Sequence, residues 1–164
     1  MPSLSIRSQI LAAIATDCAS LTEGADYSFT PRTVVRDIVN VTATKLQMPL
    51  VMVYSGDEEH KYVGPGSRAA SGQVSHEFEL HVTVVTEAKE NLEQVGLEML
   101  ADVQQLLTAF NRDVSLSGGG TAIIGIVPVR TRVLVGDVEN KRAGGDVQFT
   151  VTYKTLIGQP RVAA

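Results

Sequence analysis

Apolar positions near the start of the chain recur at helical spacing. Ile6, Ile10, Ala13, Ile14, Cys18 and Leu21 close onto one stripe and predict a first helix. Ser3 or Ser5 is placed to cap it and Gly24 to stop it. A longer stripe, Leu92, Val95, Met99, Leu100, Val103, Leu106, Leu107 and Phe110, predicts a second helix over roughly 89–110. Thr86 is its candidate cap, and Glu87, Glu90 and Glu93 put negative charge near the positive end of its dipole.

Between and after these stripes the period falls to two. From Val74 to Val85 the even positions read Val, His, Phe, Leu, Val, Val, which predicts a strand with one buried face. Leu50–Tyr54, the β-branched Thr33–Val39 and the long stretch Thr121–Val135 are further strands, with Pro128 expected at an edge or bulge. In Asp146–Ile157, Val147, Phe149, Val151 and Tyr153 fall on one side, and the turn-rich Gly136–Gly145 joins this strand to the one before it. Gly56–Gln73, with four glycines, a proline and two serines, can form a β-hairpin only in part and reads as a long mobile loop. Ser115–Gly120 and Arg161–Ala164 read as shorter flexible pieces. The order predicts an α+β fold in a single domain over 1–164: one mixed, mostly antiparallel sheet with two helices packed on one face.

Composition narrows the chemistry. With 164 residues, 44% hydrophobic and 20% charged, the chain is long enough for its own core. Aromatics make up 5% and Trp is absent, which disfavours stacking platforms for bases or sugars. Fourteen basic against eighteen acidic residues leave a net charge of −4, so no overall positive field recruits nucleic acid. Cys18, the one cysteine, permits neither an intrachain disulfide nor a thiolate cage; on the helical stripe it reads as a buried inert thiol in a reducing compartment. Met1–Leu21 is broken by Arg7, Gln9 and Asp17, and reads as neither leader nor membrane span.

No reaction centre emerges from the motifs. His76 and His81, five apart on a strand, point to opposite faces and cannot share an ion. Glu58 and His60 would share a face of an extended backbone, but beside Asp57 and Glu59 they read as a solvated acidic turn, and no metal or cofactor site is assigned. GPGSRAASG, from Gly64 to Gly72, lacks the third glycine of a dinucleotide fingerprint, and Gly118–Gly120 lack the lysine of a phosphate loop. No G-x-S-x-G surrounds a serine, and Asn40-Val41-Thr42 is a chance sequon. Charge placement says more. Arg130 and Arg132 share a strand face opposite Val127, Val129 and Val133, Lys141 and Arg142 sit in the turn beyond, and acid concentrates at Glu77, Glu79, Glu87, Glu90 and Glu93. Separated patches of this kind orient like copies head to tail, and Arg130, Arg132, Glu77 and Glu79 are the expected subunit interface.

The segments SIRSQILAAI, LVMVYSG, HEFELHVTVV, NLEQVGLEMLADVQQLL and DVQFTVTYKT, in this order over nearly the whole chain, resemble the tail-terminator and tail-completion proteins of long-tailed bacteriophages. The resemblance implies a non-enzymatic virion protein, made in the host cytoplasm, that forms a six-fold ring on the last ring of tail-tube protein. Such a ring ends tube growth and presents a surface to the head-side neck. It implies as partners other copies of the chain, the tube protein and a neck protein, with no cofactor, no membrane and no sequence-specific nucleic acid, DNA only passing through the lumen. Asp57, Glu58, Glu59, Lys61 and Arg68 of the long loop, with Lys141 and Arg142, are then the expected tube or neck contacts. The alternatives are a head-completion or neck connector subunit, a small non-viral binding module, and an enzyme using His60 or His81 as base.

Overall fold

A computed structural model of the chain describes residues 4–39, 46–63, 72–109, 113–116, 121–134, 141–156 and 159–163. The expected positions Ser3, Asn40, Arg68, Phe110 and Gly118–Gly120, with the first half of Gly136–Gly145, lie outside these residues.

Helix α1 covers Ile6–Ala19, and the Ser5 hydroxyl accepts from the Ser8 amide at 3.2 Å to cap it. Its apolar stripe is buried as Ile6, Ile10, Ile14 and Cys18. The helix ends before Gly24 is reached: the Ser20 amide and hydroxyl both turn back to the Asp17 carbonyl. Helix α2 covers Leu92–Thr108 and starts later than the apolar spacing suggests. Thr86 cannot cap it, because the preceding strand continues to Glu87 and pairs Thr86 with Ala143. Asn91, at φ 53°, makes the turn into the helix with no side-chain cap, and Glu93 alone supplies acid in its first turn.

The main sheet runs β1 (Thr33–Val35), β2 (Leu50–Val63), β3 (Gln73–Glu87), β7 (Arg142–Leu156), β6 (Gly125–Val133), with β8 (Gln159–Ala163) also paired to β7. Only β1 against β2 is parallel, so the mixed, mostly antiparallel sheet matches the expectation. Asp113–Ser115 (β4) and Thr121–Ile123 (β5) form a separate two-stranded ribbon, which splits the long β-branched stretch into two strands. Thr33–Val39 is strand for only its first three residues.

Both helices pack on one face, where the even positions of β3 (Phe78, Leu80, Val82, Val84) and the odd ones of β7 (Val147, Phe149, Val151) join Ile10, Ile14, Leu100 and Val103 in one buried cluster. Close approach of α2 to the sheet requires a glycine at 96: a Cβ there would stand 2.9 Å from the Gly144 carbonyl oxygen. Among the described residues the other sheet face carries no helix of the core, and it presents Glu59, Glu77, Glu79, His81, Gln148 and Arg130 in register.

The largest departure from expectation concerns Gly56–Gln73. Its first part is strand, not loop: β2 continues to Val63 and pairs from Glu58↔Phe78 to Val63↔Gln73. One extra residue is accommodated between Ser55 and Glu58, and this bulge hides the period-two pattern behind a polar run. Residues 64–71 lie outside the described residues. A second bulge, between Pro128 and Arg130, falls where proline was expected to force one, on the outer strand of the sheet.

Candidate functional site

The β6 bulge decides what the outer strand displays. Ile126↔Val151 and Thr131↔Val147 place Ile126 and Thr131 on the helix side, whereas Val127↔Thr150, Arg130↔Gln148 and Arg132↔Asp146 belong to the open face. Val127 therefore shares a face with both arginines, contrary to the simple alternation that set it opposite them; Val133 stands opposite as expected, and Val129 falls in the bulge without a register partner. Val127 and Val129 are each 60% exposed, an apolar pair beside two exposed guanidinium groups.

Asp146 sits directly across from Arg132 but is already committed. Its carboxylate accepts from Thr83 Oγ1 at 2.9 Å and faces His81 Nδ1 at 3.1 Å, and His81 is stacked on Tyr54 with ring centroids 5.1 Å apart. Neither Arg130 nor Arg132 has an ion pair among the described residues. Glu77 and Glu79 lie on the same open face two strands away, Glu79 within 3.6 Å of His81 Nε2. The four residues expected at an interface thus occupy one surface, basic at the β6 side and acidic toward β2, where Glu59 joins them.

The residues expected to contact a tube or neck divide differently. Asp57 at the bulge, Glu59, Lys61 and Lys141 are exposed, and Lys61 lies 3.9 Å from Glu59 and 4.0 Å from Glu77. Arg142 belongs to β7 instead of a turn, is half-buried, and leaves its Nε without a partner among the described residues. Glu58 points inward. Its Oε2 accepts from Arg7 Nη1 at 2.9 Å and its Oε1 from the Tyr153 hydroxyl at 2.7 Å. Arg68 lies outside the described residues.

Glu58 is the centre of a polar cluster set into the helix-side face. Arg7 also donates to Ser55 Oγ at 2.7 Å and to the Gly56 carbonyl at 2.6 Å, so one guanidinium ties α1 to the bulge of β2 while lying over the Phe78 ring. Cross-strand pairing sets His60 opposite His76, with their Nδ1 atoms 2.8 Å apart, and His76 Nε2 meets Thr155 Oγ1 at 2.7 Å. His76 Nδ1 stands 3.4 Å from Glu58 Oε1.

Burial pushes the Glu58 carboxyl up, but the hydrogen bonds from Tyr153 and Arg7, with the Arg7 charge and a smaller contribution from His76, outweigh it and hold the group below the usual carboxylate range. Burial lowers His76, only partly offset by the Glu58 charge, so the ring is neutral near pH 7. Tyr153 is pushed up by burial and then by its bond to Glu58. Sequence reasoning missed Arg7, Tyr153 and Thr155 here. The signal was present: a histidine and a tyrosine within two otherwise apolar strand faces must find polar partners once buried.

A shallow open depression lies elsewhere, at the start of α2 around Asn91 and Leu97, and none of the histidines lines it.

No family model matches the chain, and no curated protein does. Among solved structures, the fold is similar to the sheath/tube terminator, in its extended state, of an extracellular contractile injection system termed PVC. That likeness has a TM-score of 0.55 at 14% identity and covers 100% of this chain and 61% of the neighbour, so the chain spans about three-fifths of that protein's length.

Proposed function

We propose that this chain is a structural subunit that caps a tail tube as a homo-oligomeric, six-fold ring, ends tube polymerisation and offers the surface to which a phage head-side neck attaches. The observation that carries the reading is the likeness of the entire chain to a sheath/tube terminator. The open sheet face supports it: the exposed Val127 and two arginines without an ion pair among the described residues at one side, with Glu59, Glu77 and Glu79 toward the other, form a surface on which the basic side of one copy meets the acidic side of the next. Asp57, Glu59, Lys61 and Lys141 are left exposed for tube or neck contacts. A net charge of −4 suits a ring through which DNA slides, because dense fixed cations would hold the polymer.

The test is tube length. Purified chain added to polymerising tube protein of the same particle should arrest growth at substoichiometric ratios, and negative-stain images should show it at one tube end. Arg130→Glu combined with Arg132→Glu should weaken ring formation in low salt and lengthen the tubes. Unchanged tube lengths with the native chain, or unchanged sedimentation of the double variant, would refute the reading.

A further inference from the structure

We propose that Glu58, His60 and His76 bind a divalent transition cation of the zinc class. One ligand atom from each of the three lies within 4.8 Å of the others. The two Nδ1 atoms face each other at 2.8 Å, and His76 Nδ1 is 3.4 Å from Glu58 Oε1. Ligand atoms about 2.0–2.1 Å from a tetrahedral ion stand about 3.3 Å apart, so shifts of tenths of an ångström on the His76 side and a modest closure by His60 complete the set.

The surroundings match what such a site requires. Thr155 holds His76 Nε2 at 2.7 Å, which fixes the ring with Nδ1 turned to the cluster. The Tyr153 hydroxyl and Arg7 fix both oxygens of the Glu58 carboxylate, and Oε1 retains a lone pair beyond the one Tyr153 uses. His76 and Glu58 form the inner wall, whereas His60 is exposed, so an ion enters past His60 and keeps a water at its fourth position. Two imidazoles with one carboxylate select zinc-class ions over magnesium or calcium, which prefer oxygen. The ion would clamp the far halves of β2 and β3 together, where the ladder follows the Ser55–Glu58 bulge. This site is independent of the capping role.

The chain carries three histidines, and His81 lies on the opposite sheet face, so it serves as an internal control. Imidazole nitrogen NMR spectra of the full chain, stripped with EDTA and titrated with Zn2+, should show His60 and His76 Nδ1 shifting together and saturating at one equivalent. His81 should stay unmoved. Co2+ in place of Zn2+ should give the strong visible bands of a four-coordinate ion. His60→Ala should lower affinity at least as far as the roughly 10–100-fold typical of losing even an outer partner, while His81→Ala leaves it unchanged. No shift at tenfold excess of Zn2+ would mean that the two rings share only a proton. Parallel movement of His81, or unsaturable binding, would mean adventitious surface association. Either result overturns the proposal, and so does undiminished affinity in a folded His60→Ala chain. If that variant fails to fold, the spectra of the native chain decide alone.

Discussion

Removing the Arg7 guanidinium separates a solvated acidic turn from an inward-facing Glu58 more sharply than any other change. In Arg7→Ala, Glu58 loses its cation, and Ser55 Oγ and the Gly56 carbonyl lose donors at 2.7 and 2.6 Å. A charge-assisted hydrogen bond contributes roughly 1.5–3 kcal/mol, and stripping one partner from a fully buried pair costs about 3–5 kcal/mol. Here the side chains are 24% and 15% exposed, so solvent screening reduces the expected loss to about 2–4 kcal/mol. Glu58→Gln should cost less, because the amide still accepts from Tyr153. The double variant should fall short of the sum by about 1–2 kcal/mol, since each change removes the same interaction. Urea unfolding at pH 7 in EDTA, followed by circular dichroism with unchanged m values, measures all three. Lys61→Ala, at an exposed pair 3.9 Å from Glu59, is the control and should stay within about 0.5 kcal/mol. A cost below about 0.5 kcal/mol for Arg7→Ala, or strict additivity, would refute the cluster and restore the solvated turn.

Two further outcomes follow from the packing. Gly144→Ala would drive a methyl into the Val84 carbonyl oxygen and the backbone at Val85, so thermal unfolding should report a loss of about 3 kcal/mol or more; Gly24→Ala, with nothing nearer than the Thr22 carbonyl oxygen at 4.0 Å, should be near neutral. Cys18 is fully buried, and burial followed by the nearby Asp17 charge pushes its thiol up to about 12. A colorimetric disulfide reagent at pH 8 should therefore react only at the rate of global opening, and fast native-state labelling would contradict that packing. The same raised thiol binds its proton more tightly folded than unfolded. The stability it confers is complete below its ordinary value of 9.0 and fades as pH climbs toward about 12.

The strands whose period survives intact were the most legible. Val74–Val85 and Asp146–Leu156 are buried on the faces their alternation indicates, and Ile6, Ile10, Ile14 and Cys18 of the first helical stripe and Met99, Leu100, Val103 and Leu107 of the second lie in the core. Legibility failed where one inserted residue shifts the phase. The bulge after Ser55 turned a strand into an apparent loop, and the bulge after Pro128 moved Val127 to the face of the arginines. Local patterns contain no term for cross-strand partners. For that reason His76 was read alone, although His60 sits opposite it and Thr155 behind it. Thr86 failed as a cap for the same reason: its β7 partner Ala143 outweighs its preference for a helix start. The acidic face and the basic strand are legible because Glu77 with Glu79, and Arg130 with Arg132, are each two residues apart on one strand and so keep a common side.

Pro128 governs how far an incoming backbone could travel along the rim of the sheet. A foreign strand laid beside β6 finds no amide hydrogen at the proline, and one residue later the spacing slips out of step. Only brief runs on either flank can zip up, so the bare valines there attract neighbours through their side chains while the peptide groups refuse a continuous ladder. The border of the sheet at β6 is thereby guarded against fibrous growth.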